Sequence, residues 1–407
     1  TAADNFPVEE LFSAAEYAHS LGKKLYLTLN TMPHGYEYPA LRDFLRELRG
    51  SGIDAFIVAD LGVLNEAKTI LPETEIHIST QASICSPDAA VEYAKLGDSR
   101  LVLARELTFS EIRAIRDAVP EEVELEAFVH GSMCVSYSGR CLLSNHILNR
   151  DGNRGMCAQP CRWNYSIKSF EIVEEKRPDT VIPIEEINGE SFIMSSRDTC
   201  TIEHIPELIE AGIDSFKIEG RMKSAYYTAV VTNTYRLAID EYRRDPSAYT
   251  FREEWAREVD GVSHREYGTG FYFDDPMVNP QLVSTCGYIR EKAYFSTAIE
   301  YDEAEAQALA ANGVAMENEQ GKLYRFIQRN KVSVGEGAEL ISPGKIGHGF
   351  DVAELYAPDG SALESTPHPS MIYWCRVPFE VKEGDIMRAA TGRGLEVRAK
   401  DRLKGEC

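Results

Sequence analysis

Short apolar runs alternate with longer segments whose apolar residues recur every three or four positions through the first half of the chain. Runs at residues 24–30 (KLYLTLN), 54–60 (DAFIVAD), 75–80 (EIHIST), 100–107 (RLVLAREL), 123–130 (VELEAFVH) and 215–221 (SFKIEGR) predict strands. Between most of them, residues 8–21, 39–51, 87–96, 109–119 and 202–211 carry helical spacing, and a long helix is predicted over 224–243. Alternation of mostly apolar strands with helices predicts a parallel sheet in an α/β fold. Polar residues close nearly every run: Asn30, Asp60, Ser79-Thr80-Gln81, Arg105-Glu106, His130, Glu219 and Arg221. In a (β/α) barrel that end of the sheet carries the active site. No Gly-x-Gly-x-x-Gly follows a strand, so the expectation is a TIM-like (β/α) barrel rather than an open dinucleotide-binding sheet.

The texture changes in the last third. Residues 245–280 are turn-rich and read as a connector. Short runs at 288–295, 322–328, 338–342 and 352–356 then alternate with Gly, Pro and Asp turns. They predict a small all-β barrel domain. The expected organisation is a barrel over 1–281, a β-domain over 282–390 and a polar tail over 391–407.

Composition narrows the classes. With 407 residues, 43% of them hydrophobic, the chain can bury full cores. No apolar run approaches the roughly 20 residues of a membrane span. The N-terminus lacks a charged-then-apolar signal pattern, so the expectation is a cytoplasmic protein without structural disulfides and without a membrane. Net charge is −22, of which −18 falls in the first 283 residues, which argues against non-specific nucleic-acid binding.

One segment departs from that charge. Residues 131–165 carry Arg140, Arg150, Arg154, Arg162 and a single Asp151, a net of +3. The same stretch holds four of the nine cysteines, Cys134, Cys141, Cys157 and Cys161, spaced C-x6-C-x15-C-x3-C. Four thiolates so close together predict a metal or redox site, iron–sulfur or zinc, within a cysteine-rich segment at about 131–200. Cys200 is a candidate replacement ligand. Cys85, Cys286, Cys375 and Cys407, far apart, read as small buried hydrophobes.

The polar strand ends give the other candidates. His77, Gln81, Glu126 and His130 are the expected catalytic groups. Arg105, Arg140, Glu219 and Arg221 are the expected substrate-binding groups, because guanidinium matches carboxylate and phosphate geometrically. Side-chain alternation would put Lys217, Glu219 and Arg221 on one face of a strand, as an anion site or as an ion-pair ladder. Each polar residue taken singly could equally be a satisfied member of a supporting network. The P-loop, H-E-x-x-H and G-x-S-x-G patterns are absent.

The segment Glu126-Ala-Phe-Val-His-Gly-Ser-Met-Cys134, with Gly139-Arg-Cys141-Leu-Leu-Ser144, resembles the signature of peptidase family U32, the collagenase-like proteases. His77-Ile-Ser-Thr-Gln81, Asn153-Arg-Gly155, Phe216-Lys-Ile-Glu-Gly-Arg-Met-Lys-Ser224, Thr366-Pro-His-Pro369 and Val381-Lys-Glu-Gly-Asp-Ile386 extend the resemblance over nearly the whole chain. The resemblance implies a 4Fe–4S cluster on Cys134, Cys141, Cys157 and Cys161 and oxygen-independent hydroxylation. Its closest branch implies prephenate-dependent 5-hydroxylation of the wobble uridine of tRNA, with tRNA as partner. Other branches imply rRNA cytidine hydroxylation, a cluster-bearing partner subunit in ubiquinone hydroxylation, or the peptidase of the family name. Relatives begin with two further strands before a segment like Ala3-Asp-Asn-Phe6, so the resemblance implies an N-terminally incomplete barrel lacking its first two strands.

Overall fold

The computed structural model describes residues 6–96, 99–134, 136, 141, 143–144, 157–158, 160, 172–174, 177–182, 185–187, 190–192, 197–273, 289 and 292–390. The chain packs as two units. One is formed by residues 1–222 and 265–287, the other by 223–264 and 288–407. The sequence reading placed a single boundary after residue 281. The observed division is discontinuous, because the segment 223–264 groups with the C-terminal sheet.

In the first unit, strands β1 (Tyr26–Leu29), β2 (Ala55–Val58), β3 (Glu75–Ile78), β4 (Arg100–Val102) and β5 (Glu124–Ser132) lie side by side in parallel. Helices α1 (Val8–Ser20), α2 (Tyr38–Glu47), α3 (Leu61–Ile70), α4 (Pro87–Lys95) and α5 (Phe109–Ala118) alternate with them. Every residue of β2 is buried, as in a parallel strand covered on both faces. The helices start where side chains satisfy their free N–H groups. Ser86 accepts from Ala89, and Thr108 with Glu111 forms a capping box. Helix α5 then turns Phe109, Ile112 and Ile115 into the core.

After β5 come two antiparallel hairpins. They are β6 (Ile172–Glu174) with β7 (Arg177–Ile182), and β8 (Glu185–Ile187) with β9 (Glu190–Phe192). Strand β10 (Asp198–Cys200) then returns antiparallel to β5, α6 (Ile205–Glu210) follows, β11 (Ser215–Ile218) pairs parallel with β5, and β12 (Tyr267–Gly268) pairs with β10.

The result is a mixed α/β unit on a largely parallel eight-stranded sheet. A closed TIM-like barrel is not what the described residues show. Strand β1 is joined only to β2 among them, and the antiparallel β10 interrupts the expected repeat. The cause is the length of β5. It pairs with β4 at residues 124–126, with β11 at 126–130 and with β10 at 130–132.

The second unit opens with α7 (Ala225–Arg244) and α8 (Glu253–Asp260). Nine antiparallel strands follow: β13 (Tyr294–Ala298), β14 (Glu317–Asn318), β15 (Gly321–Gln328), β16 (Gly337–Ile341), β17 (His348–Asp351), β18 (Leu355–Tyr356), β19 (Ala362–Leu363), β20 (Ile372–Val377) and β21 (Ile386–Ala389). Their core gathers Phe295, Phe326, Tyr373 and Met387. The unit is not all-β. Helix α9 (Glu303–Ala311) is capped by Asp302 and buries Ala306 and Leu309 beside Leu323 and Trp374. Fully buried Arg388 donates to Glu258 of α8 at 2.6 Å and to Glu339 of β16 at 2.8 Å. A buried guanidinium requires such pairing, so α8 and the sheet form one unit. No helix among the described residues is long and apolar enough to cross a membrane.

Candidate functional site

Strand β5 runs through both polar clusters of the first unit. Near its start, Glu126 is buried and receives three donors from neighbouring strands. Arg100 of β4 binds Oε2 at 3.0 Å, Ser215 of β11 binds Oε2 at 2.9 Å, and Lys217 of β11 binds Oε1 at 2.6 Å. Burial pushes this carboxyl upward, but the Lys217 and Arg100 charges outweigh it and hold Glu126 below the usual carboxylate range. Glu126 is therefore an ionised, fully engaged support of the sheet.

His77 of β3 lies in the same polar stratum, paired in register with Arg100. It is buried, meets Tyr26 edge-on at 4.7 Å, and neither ring nitrogen makes a hydrogen bond. Its Nε2 stands 3.6 Å from the Glu75 carboxylate. Burial first, then the Arg100 charge, pushes its pKa down, so the ring stays neutral.

The far end of β5 lines a small pocket with Arg105, Phe128, His130, Gly131, Met133, Thr199, Gly270 and Tyr272. Arg105 donates to the Ser132 carbonyl at 2.6 Å and lies over the Phe128 ring at 3.7 Å. His130 is buried, with its Nε2 3.4 Å from the Tyr267 hydroxyl. Tyr272 donates to the Phe128 carbonyl at 2.8 Å, and burial raises its pKa. The pocket can present a guanidinium and an imidazole to a polar or anionic group against an aromatic wall.

Gly131 makes this corner possible. Its φ is +121°, and a Cβ there would lie 2.6 Å from the Glu219 Cβ and 2.7 Å from the Glu219 carbonyl oxygen. Glu219 donates its own N–H to the His130 carbonyl at 2.9 Å, and its carboxylate accepts from the Arg221 N–H at 2.9 Å. Alternation does not carry through here. The register shifts between Lys217 and Ile218, β11 ends at Ile218, and exposed Arg221 lies in the following loop. Lys217 faces Glu126, while Glu219 holds its own loop.

Of the eight catalytic and substrate-binding candidates, Arg105 and His130 meet in the pocket. Glu126 and His77 lie in the polar stratum. Gln81 follows β3 in a turn, with its buried side-chain oxygen unbonded. Arg140 lies outside the described residues. Sequence reasoning missed Thr199, Tyr267, Gly270 and Tyr272. It also missed the buried Asp198–Arg265 pair beside them, in which Arg265 donates at 2.6 and 3.0 Å. These groups come from segments some 70 to 140 residues away from β5, and no local pattern marks them.

In the cysteine segment, Cys134 and Cys157 are exposed and Cys141 is half-buried. Buried Ser144 accepts the Ala158 N–H at 3.0 Å, which holds the residue after Cys157 against Ser144. Cys161 lies outside the described residues, and among those described no three His, Cys, Asp or Glu side chains converge on one point. The donor chemistry suits a thiolate-bound cluster. Cys375 is fully buried, as its isolated position in the sequence suggested, and Cys85 is half-buried. Cys286 and Cys407 lie outside the described residues.

A parallel-sheet unit with an arginine–histidine pocket at one end, followed by a thiol-rich segment, defines the kind of site. Residues 1–281 match the family model for peptidase family U32, and residues 310–388 match that family's C-terminal domain. The chain belongs to peptidase family U32. It is similar to tRNA hydroxylation protein P1 of Bacillus subtilis, with 33% identity over 95% of this chain and 86% of that protein. It is similar also to tRNA hydroxylation protein P of Escherichia coli, with 31% identity over 96% of this chain and 89% of that protein. A 23S rRNA 5-hydroxycytidine synthase of Escherichia coli is 35% identical over 57% of this chain and 33% of its own length.

Proposed function

We propose that this chain is a cytoplasmic RNA hydroxylase that acts on the wobble uridine of tRNA at C5, with prephenate as co-substrate and a 4Fe–4S cluster on Cys134, Cys141, Cys157 and Cys161. The observation that carries the reading is end-to-end similarity to tRNA hydroxylation proteins across both units. When bound, the cluster supplies the redox chemistry that side chains lack.

The chain's own residues do the rest. Arg105, fixed by Ser132 and Phe128, anchors a carboxylate or phosphate at the pocket mouth. His130 holds or accepts a proton at Nε2, positioned by Tyr267. Phe128 and Met133 exclude water on the apolar side. Glu126 keeps β4, β5 and β11 in register beneath.

Two measurements test this. Expression in cells lacking their own enzyme should restore 5-hydroxyuridine in digested tRNA, and only when prephenate is made. Cys→Ser at 134, 141, 157 or 161 should lower iron and sulfide content, and Cys375→Ser should not. Full iron in two of the four variants would overturn the ligand set. Unchanged tRNA with hydroxylated rRNA cytidine would move the target. Unchanged RNA with chelator-sensitive peptide cleavage would return the chain to the peptidase reading.

A further inference from the structure

The loop after β1 places two rings in an unusual position. His34 and Tyr36 stack with centroids 5.6 Å apart and planes within 6°. Both are exposed, Tyr36 to 79%. The turn itself is rigid. The Glu37 carboxylate accepts the His34 N–H at 2.7 Å, and the Glu37 N–H donates to the His34 carbonyl at 2.9 Å. A tyrosine held in water by a locked turn, with its ring parallel to a neighbour's, is a preformed flat surface. The backbone that carries both rings is ordered before any ligand arrives.

The surroundings extend it. Met32 precedes the stack, exposed Leu61 opens the helix after β2, and exposed Met222 follows β11. All leave the sheet at the carboxyl ends of parallel strands, the end that carries Arg105, His130 and Gly131. The charges of these loops are mixed: Glu37 and Asp60 follow β1 and β2, and Glu219 and exposed Arg221 precede Met222. A partner recognised at the His34–Tyr36 stack itself is held through π-faces.

We infer that the His34–Tyr36 stack is a platform for an unpaired nucleobase of the RNA substrate, so that a loop of single-stranded RNA lies across the strand ends. The inference rests on the RNA-hydroxylase reading and names the part of the substrate that touches this loop. Base–aromatic stacking tolerates any base, because every base has a π-face. The platform therefore positions an RNA loop without reading its sequence.

The test uses the whole chain and an RNA hairpin with 2-aminopurine in its unpaired loop. Binding should quench the fluorophore, and a fully paired duplex of the same stem should bind more weakly. Tyr36→Ala should weaken hairpin binding about tenfold and abolish most of the quenching. Tyr36→Phe should keep both. The salt dependence of binding should be unchanged in Tyr36→Ala, because no phosphate contact is lost. Its melting temperature should also be nearly unchanged, because the ring is 79% exposed and its stack on His34 lies in water. Equal affinity and equal quenching for Tyr36→Ala and the parent would overturn the platform while leaving the hydroxylase intact. Absence of hairpin binding by the parent, together with absence of hydroxylated RNA, would overturn both.

Discussion

The two ends of β5 carry the same kinds of residue and use them in opposite ways. At Glu126 three donors from β4 and β11 converge on one carboxylate, and Glu124 takes the rest of the Arg100 guanidinium, so two carboxylates balance two cations. At His130 and Gly131, four positions further on, a ring nitrogen and the Arg105 guanidinium border a pocket. What differs is the neighbour. Beside Glu126 the partner strands are parallel and in register, so their side chains meet it directly. Beside His130 the antiparallel β10 and the bulge at Ile218 pull the backbones out of step. Regular pairing makes a support, and broken pairing makes a cavity.

The sharpest way to break this comparison is to remove the support. Glu126→Ala should cost about 3 kcal/mol of stability, because it leaves half-buried Lys217 without its counter-charge and Arg100 with Glu124 alone. Urea unfolding measures it. A loss under 1 kcal/mol, on the order of an exposed pair, would mean that the stratum is solvent-screened and not a support at all. Because the Glu126 carboxyl sits below its usual value of 4.5 in the fold, its contribution is present above that pH and fades as pH falls through the lowered value. Glu126→Gln should flatten that acid limb.

Gly131→Ala should be next, at about 2–3 kcal/mol, combining strain at positive φ with a clash against Glu219. Unlike Glu126→Ala, it should also displace Glu219 from the His130 carbonyl and lower hydroxylation beyond its effect on folding. Arg105→Ala should reverse the balance. Loss of its hydrogen bond to the Ser132 carbonyl costs about 1 kcal/mol, while hydroxylated nucleoside should drop more than tenfold through a raised KM for the proposed anionic co-substrate. Lys should rescue charge but not the fork geometry. Arg105→Ala with full activity would leave the pocket without its proposed anchor.

Much of the support was legible in the sequence, and less of the pocket. Residues 54–60, 75–80 and 123–130 read as strands because their side chains face packed neighbours on both sides or alternate cleanly. Asp60 shows the limit of reading polar strand ends as site residues. It accepts from Gly62 and Val63 as the cap of α3 and from the Tyr38 hydroxyl at 2.8 Å, a local structural task. That helix went unrecognised because Gly62 sits in its first turn. Helices α8 and α9 fell in stretches that read as connector and β-domain, since Trp255 and Leu309 gain meaning only from what they pack against. Lys217, Glu219 and Arg221 look like one face of a strand until a bulge intervenes, and a bulge depends on the partner strand rather than on the residues themselves. Ser144, by contrast, was marked by the family pattern before its bond to Ala158 gave it a role.

The smallest effect is the one that separates the two polar groups of the support. His77 is buried on Tyr26, and its folded pKa lies below the ordinary 6.5. An unfolded ring takes up a proton near that ordinary value, while the folded ring does so only at lower pH. Below about pH 6.5 the unfolded chain therefore binds more protons, and stability falls as pH drops, until the folded ring also titrates. Glu126 fades lower, below its own usual value, so the two windows are distinct. His77→Phe keeps an aromatic ring against Tyr26 and removes the titration. It should flatten the melting-temperature slope just below about pH 6.5 and leave the steeper acid limb untouched, while Glu126→Gln should do the reverse. If His77→Phe keeps the parent slope, the imidazole is already protonated in the fold, paired with Glu75 across their 3.6 Å gap. The support would then contain a second ion pair, and the contrast with the His130 end would rest on geometry alone.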